Sequence, residues 1–148
     1  MTWPSVFLVL LTVSAQSVYS ESICSVSGCQ CEDSVVHCQG TDTEDLVLSP
    51  SSLPPGLTSL SISHLNSLQI KTNTFKLHVE LLTLILDNIS TIHLQPFIFS
   101  ESEYDGFLRT FEMSDVMNLN LVEDSFNNAP QCGNSTFRNI SIKVHIHY

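Results

Sequence analysis

Five cysteines, six histidines and a few paired acids are the side chains of this sequence whose types and spacing could do chemistry. Four of the cysteines crowd into one segment as Cys24-x4-Cys29-x-Cys31-x6-Cys38, and that density allows either a zinc site or two disulfides. Three pairings are open to four cysteines, and the residues alone do not choose among them. Zinc would use thiolates with His37 beside Cys38, but thiols that reach an oxidising compartment form bridges. The fifth, Cys132, sits in the loop-forming run Asn127-Asn128-Ala129-Pro130-Gln131-Cys132-Gly133 and is either inert or available to a second chain. His145-x-His147 places two imidazoles on one face of a strand, which is an incomplete metal site, and no metal or other cofactor is expected. The acid pairs Glu101/Glu103 and Glu123/Asp124 fall in loop segments where solvated carboxylates are the ordinary outcome. There is no Gly-x-Ser-x-Gly elbow and no glycine-rich phosphate loop among only five glycines, so no catalytic residue is assigned and the chain reads as a non-enzyme.

The compartment follows from the first twenty residues. Val6 to Leu11 with Val13 form a short apolar run, followed by small and polar residues ending Val18-Tyr19-Ser20, the pattern of a secretory signal peptide over 1–20. The run is far shorter than the roughly 20 residues a bilayer span needs, and no later stretch reaches that length, so the reading is a secreted, extracellular chain without membrane insertion. Sequons at Asn88, Asn134 and Asn139 agree with it as glycosylation sites. The net charge of −10 with five scattered bases excludes nucleic acid as a partner, since phosphate binding needs a basic patch. At 148 residues, 43% hydrophobic and 14% charged, the chain has the composition of one folded domain.

The elements that must carry these residues are set by a repeat. Leu57-x-x-Leu60-x-Ile62 with Ile70 and Phe75 is followed by Val79-x-x-Leu82-x-Leu84 with Ile89, Ile92 and Phe97. The pattern returns as Leu108-x-x-Phe111-x-Met113 with Leu121 and Phe126, and again as Phe137-x-x-Ile140-x-Ile142, making three full units and the start of a fourth. Alternate residues of a strand share a face, so each unit buries its fourth and sixth positions only when neighbours stack on it, which is the logic of a solenoid.

This spacing resembles the extracellular leucine-rich-repeat family over residues 24–148, and is more distantly similar to arthropod secreted leucine-rich-repeat proteins related to a luciferase non-catalytic subunit. The resemblance implies an α/β-type leucine-rich-repeat solenoid. Short parallel strands line its concave face, and irregular loops or short helical turns its convex face. It also implies a cysteine-rich N-terminal cap over 21–56, bridged Cys24–Cys31 and Cys29–Cys38, and repeats over 57–148. Secreted members of the family usually carry a second cysteine-rich cap, but no cysteine follows Cys132, so no C-terminal cap is expected. Positions of the family's consensus Asn hold Leu65, Asp87, Val116 and His145, of which only Asp87 could play its part. The insertion Ser100–Gly106 is expected to bulge away from the strands.

Residues alternating with the core would then form a ligand-binding surface: Ser59, Ser61, Ser63 and His64; Leu81, Thr83, Ile85 and Leu86; Thr110, Glu112, Ser114 and Asp115; and Asn139, Ser141 and Lys143 in the last unit. The expected function is extracellular protein recognition by a non-catalytic binding protein, the alternative being the N-terminal fragment of a larger leucine-rich-repeat receptor or adhesion molecule. The open last strand, or Cys132, further suggests a homodimer.

Overall fold

A computed structural model of the chain describes residues 22–145; the leader assigned to 1–20 lies outside them, as do His147 and the side chain of His145. Seven strands make one sheet that winds through five stacked coils: β1 (Cys29–Glu32), β2 (Val35–Gln39), β3 (Asp45–Leu48), β4 (Ser59–Ile70), β5 (Thr83–Leu94), β6 (Phe107–Val122) and β7 (Gln131–His145). From β4 to β7 every neighbour is parallel. The first coil is built from two pieces, β2 pairing with the first half of β4 and β3 with its second half, while β1 folds back antiparallel on β2. One 3-10 turn, Ile23–Ser25, is the only helix among the described residues, and no helix there is long and apolar enough to cross a membrane.

The chain is thus a mostly-strand β-solenoid. Where short strands joined by irregular loops or short helical turns were expected, the strands run 12, 12, 16 and 15 residues and turn a corner midway. The corner residue has left-handed backbone in each coil: His64 (φ 57°), Asn88 (φ 50°), Asp115 (φ 51°) and Asn139 (φ 52°). Asn, Asp and His tolerate that region far better than β-branched residues, because a short polar side chain can hydrogen-bond locally. These residues stack. His64 Nδ1 lies 2.9 Å from Asn88 Nδ2, and Asn139 Nδ2 donates to Asp115 Oδ1 at 2.8 Å. The first coil reaches the same corner with Gly40, whose N–H donates to Ser63 O at 3.0 Å; a Cβ there would lie 2.4 Å from His64 O.

Register is set by columns of inward side chains. Leu60, Leu84 and Phe111 stack behind Val36, Ile62, Leu86 and Met113 behind Cys38, and Leu68, Ile92 and Leu119 behind Leu46. All are buried, each contributing roughly 1.5–3 kcal/mol by leaving water. The repeat therefore runs through Leu60, Leu84, Phe111 and Ser135, with a longer step between the second and third of these than between the others. This corrects the register read from the sequence in two coils. Leu81, not Val79, answers to Leu57, and the fourth unit opens at Cys132, so Phe137 stacks on Met113. Phe99, not Phe97, packs on Phe75, with ring centroids 5.3 Å apart.

On the third side the turns are closed by buried hydroxyls. Thr74 Oγ1 donates to Lys71 O (2.7 Å) in its own coil and lies 3.1 Å from Leu48 O of the coil before. Ser125 Oγ repeats this with Val122 O (2.9 Å) and Leu94 O (3.2 Å). Each hydroxyl thus spans two adjacent coils and keeps its own buried proton hydrogen-bonded. The insertion Ser100–Gly106 does lie on this side, where Tyr104 ties it down: its ring packs on Phe99 at 5.6 Å and its hydroxyl donates to His78 O at 2.8 Å. At the N-terminal end the bridges are Cys24–Cys31 and Cys29–Cys38.

If the corner depends on left-handed backbone, Asn88→Val should lower unfolding free energy by about 1–3 kcal/mol while Asn88→Gly leaves it nearly unchanged. Urea melts of the two variants measure this; equal losses would mean that the side-chain ladder, not the backbone, holds the corner.

Candidate functional site

The corners divide each coil into two strand faces. On the first, outward residues line up in three columns: Val35, Ser59, Thr83, Thr110 and Asn134; His37, Ser61, Ile85, Glu112 and Thr136; Gln39, Ser63, Asp87, Ser114 and Arg138. Side chains at these positions stand directly opposite one another about every 4.8 Å, the spacing between paired strands. Short hydroxyls are the commonest type, and Ser59, Ser61, Ser63, Thr83 and Thr110 among them are half-exposed, so the middle of the surface is flat and its side chains lose little freedom on contact. Ile85 is the apolar member of the middle, bordered by Ser61, Thr83 and Glu112. Glu112 is held by Arg138, whose Nη2 lies 3.2 Å from its Oε1.

Of the residues expected on the binding surface, Ser59, Ser61, Ser63, Thr83, Ile85, Thr110 and Glu112 are brought together here. His64 and Asp115 sit at the corner, where His64 Nδ1 is also 3.4 Å from Asp42 Oδ1. Leu81 and Leu86 are corrections: both are 1% exposed and belong to the core. The cause is the shift of register in the second coil, which leaves Val79 and Leu82 exposed in their place. Ser114 is also buried, and donates to Asp87 Oδ1 at 2.6 Å. Asn139 lies at the corner, and Ser141 and Lys143 beyond it on the second face, all exposed. The second face carries Ser67, Thr91 and Asn118 beside Gln69, His93 and Asn120, with Asn120 Nδ2 3.0 Å from His93 Nδ1.

Three concavities accompany these faces. One of about 480 Å³ lies along the corner between Asp87, Asn88, Asp115, Met117 and Asn139. Its carboxylates are already engaged, Asp87 by Ser114 and Asp115 by Asn139, and among the described residues no group of three His, Cys, Asp or Glu is placed to hold a metal. A second, of about 230 Å³, is apolar and lined by Phe111, Phe126, Cys132 and Phe137. The third, of about 260 Å³, is bounded by Gly56, Leu57, Leu77, His78 and Glu80. His78 is buried there with neither ring nitrogen hydrogen-bonded, and burial lowers its pKa below the ordinary histidine value. Burial also pushes the Tyr104 phenol up to about 12, so this hydroxyl stays a donor.

Sequence reasoning missed the corner stack and the buried hydroxyls Thr74 and Ser125. The signal for the first was present: His64, Asn88, Asp115 and Asn139 recur once per coil, each just before an inward Leu, Ile or Val. Three of the consensus-Asn positions of the resembled family, Leu65, Asp87 and Val116, fall beside it, and Leu65 and Val116 are core residues, whereas His145 lies well past the corner of its coil.

The fold and this face define a β-solenoid whose first coil is stapled by disulfides and whose strands present a flat, hydroxyl-rich surface. No protein-family model matches the chain, and comparison with curated proteins and with solved structures likewise gives no match.

His78 makes stability pH-dependent with a definite sign. The folded chain holds the imidazole neutral, whereas the unfolded chain takes up a proton near the ordinary histidine value of 6.5, so stability present above that pH is lost as pH falls below it. His78→Leu removes both the proton linkage and two unpaired buried nitrogens. It should be neutral or stabilising near neutral pH and more stabilising about two pH units lower, below the ordinary histidine value. Denaturation midpoints that move in parallel for both chains would contradict this.

Proposed function

We propose that the protein is a secreted, non-catalytic recognition module, kin to the extracellular leucine-rich-repeat proteins, that binds an extracellular protein through its first strand face. The observation that carries this reading is the in-register array around Ile85. A half-exposed apolar side chain is bordered by Ser61, Thr83 and Glu112 on strands that are hydrogen-bonded to neighbours on both sides. An apolar centre with a polar rim is the anatomy of a protein-binding patch. Being built on a rigid sheet, it is already ordered before a partner arrives, which removes part of the cost of association.

Several features support the secreted assignment and the family kinship. The two bridges of the first coil fit an oxidising compartment. Their pairing is the one the resemblance implies, and the inward columns are rich in Leu and Ile. The sequons at Asn88, Asn134 and Asn139 lie on exposed residues, Asn88 and Asn139 at equivalent corners two coils apart. N-linked glycans at those corners would border the first face without covering Ile85.

Substitutions that test the reading must spare the core. Ile85→Asp should weaken capture of a ligand isolated from extracellular fluid by at least about tenfold, near 1.4 kcal/mol, while Ser141→Asp on the second face leaves it unchanged. Both variants should melt as the parent does. Equal effects of the two substitutions on binding would remove the first face from the proposal.

A further inference from the structure

Within the described residues the stack ends on β7. Among the described residues no strand pairs with the far edge of β7, and its inward side chains lack the coil that covers their counterparts. Phe137, Ile142 and Val144 are 54%, 59% and 59% exposed, although they continue the columns of the inward Met113, Leu119 and Leu121. The apolar cavity of about 230 Å³ lies at this end, with Cys132, Ser135 and Phe137 of β7 on its wall. An edge that is both apolar and unpaired is a template for another strand.

We propose that the occupant is a second copy of this chain, its β7 pairing antiparallel with β7 about a two-fold axis at the Arg138–Asn139 peptide. The argument is one of register. Side chains of β7 point inward at Phe137, then at Ile140, Ile142 and Val144, with Arg138 and Asn139 outward between them, because the left-handed corner at Asn139 interrupts the alternation. A two-fold axis along the bisector of the corner maps inside onto inside and exchanges the two arms. Centred on the Arg138–Asn139 peptide, it sets Phe137 opposite Ile140 of the second copy and Ser135 opposite Ile142, inward against inward. Thr136 stands opposite Ser141 and Asn134 opposite Lys143, outward against outward. Centring on Asn139 itself sets Phe137 against the outward Ser141, so that register buries nothing.

Charge agrees with this placement. Arg138 and Lys143 are the Lys and Arg side chains of β7, which carries no acid. In the proposed register Lys143 meets Asn134 and Arg138 meets Asn139, so no like charges stand directly opposite, and Arg138 keeps its own Glu112 at 3.2 Å. The 15 residues of β7, at about 3.3 Å per residue, give an edge of about 50 Å, which with a layer about 10 Å thick is about 500 Å² per copy. The total of about 1,000 Å² is at the lower bound for a specific interface, so affinity in the micromolar range is expected. Cys132 falls opposite His145, far from its own symmetry mate, so the dimer is not disulfide-linked. A glycan on Asn139 lies beside the axis, and the pairing belongs to chains in which that site is unoccupied. The inference does not rest on the recognition reading, which concerns a different face.

Sedimentation across the micromolar range tests it, on chain secreted into a bacterial periplasm, where disulfides form and no glycans are added. The expected result is a closed monomer–dimer equilibrium, unchanged by Cys132→Ser or by oxidation state of that thiol. Ile142→Lys and Val144→Lys should each raise the dissociation constant at least about tenfold without altering the melting temperature. In a Cys132→Ser background, Thr136→Cys with Ser141→Cys should give a covalent dimer on oxidation, whereas Thr136→Cys with Lys143→Cys should not. A monomer throughout, growth beyond the dimer, dependence on Cys132, or equal cross-linking of both cysteine pairs would each overturn the proposal.

Discussion

Parallel strands stacked in register must all bend at the same point, and in this chain the bend is a single residue per coil in left-handed conformation. His64, Asn88, Asp115 and Asn139 supply it, each over the one before. If one coil turned a residue early, its inward side chains beyond the corner would face outward, and the columns on both sides would lose their burial. The corner therefore holds the core together indirectly. It brings Leu60 and Ile62 on one arm and Leu65 and Leu68 on the other into the same interior. The polar side chains at the corner add a second ladder, amide to imidazole and amide to carboxylate, on the outside of the bend.

The two ends of such a stack pose the same problem and are treated differently. At the N-terminal end β1 folds antiparallel over β2, and two bridges tie it there, so Cys38 continues the inward column of Ile62 while bonded to Cys29. Loops closed by separations of 7 and 9 residues restrict the unfolded chain in a segment that has little core of its own. At the other end the apolar columns run out at Phe137, Ile140, Ile142 and Val144 with no such cover among the described residues. Phe137 still packs edge-on to Phe111 at 5.4 Å, which leaves one side of its ring to water.

Between the ends, the outer surface takes its character from what a parallel sheet demands. Every outward position has a neighbour on the strands beside it, so large or like-charged residues in one column would crowd or repel. Short hydroxyls and amides avoid both costs, and the acidic side chains that do occur are spoken for, as Asp87 is by Ser114 and Glu112 by Arg138. Ile85 is conspicuous against that background.

How much of this was legible depends on which property is asked of the residues. The clustered cysteines, the alternation of apolar and polar residues and the recurrence of that pattern already specify stacked strands with a bridged first coil, because side-chain direction along a strand is a local property. Register is not local. Sliding the second coil along by one alternation keeps the same face inward, so Val79-x-x-Leu82-x-Leu84 and Leu81-x-x-Leu84-x-Leu86 satisfy the pattern equally well. Only the neighbouring coils decide between them, through the buried columns and through the corner, which accepts Asn88 and in the other register would fall on Leu86 and strain it. That decision moved Leu81 and Leu86 from the surface to the core and put Phe99 on Phe75 in place of Phe97. Likewise the burial of Ser114, Thr74 and Ser125 follows from acceptors that adjacent coils present to them, contacts between residues far apart in the chain that exist only once the coils have stacked.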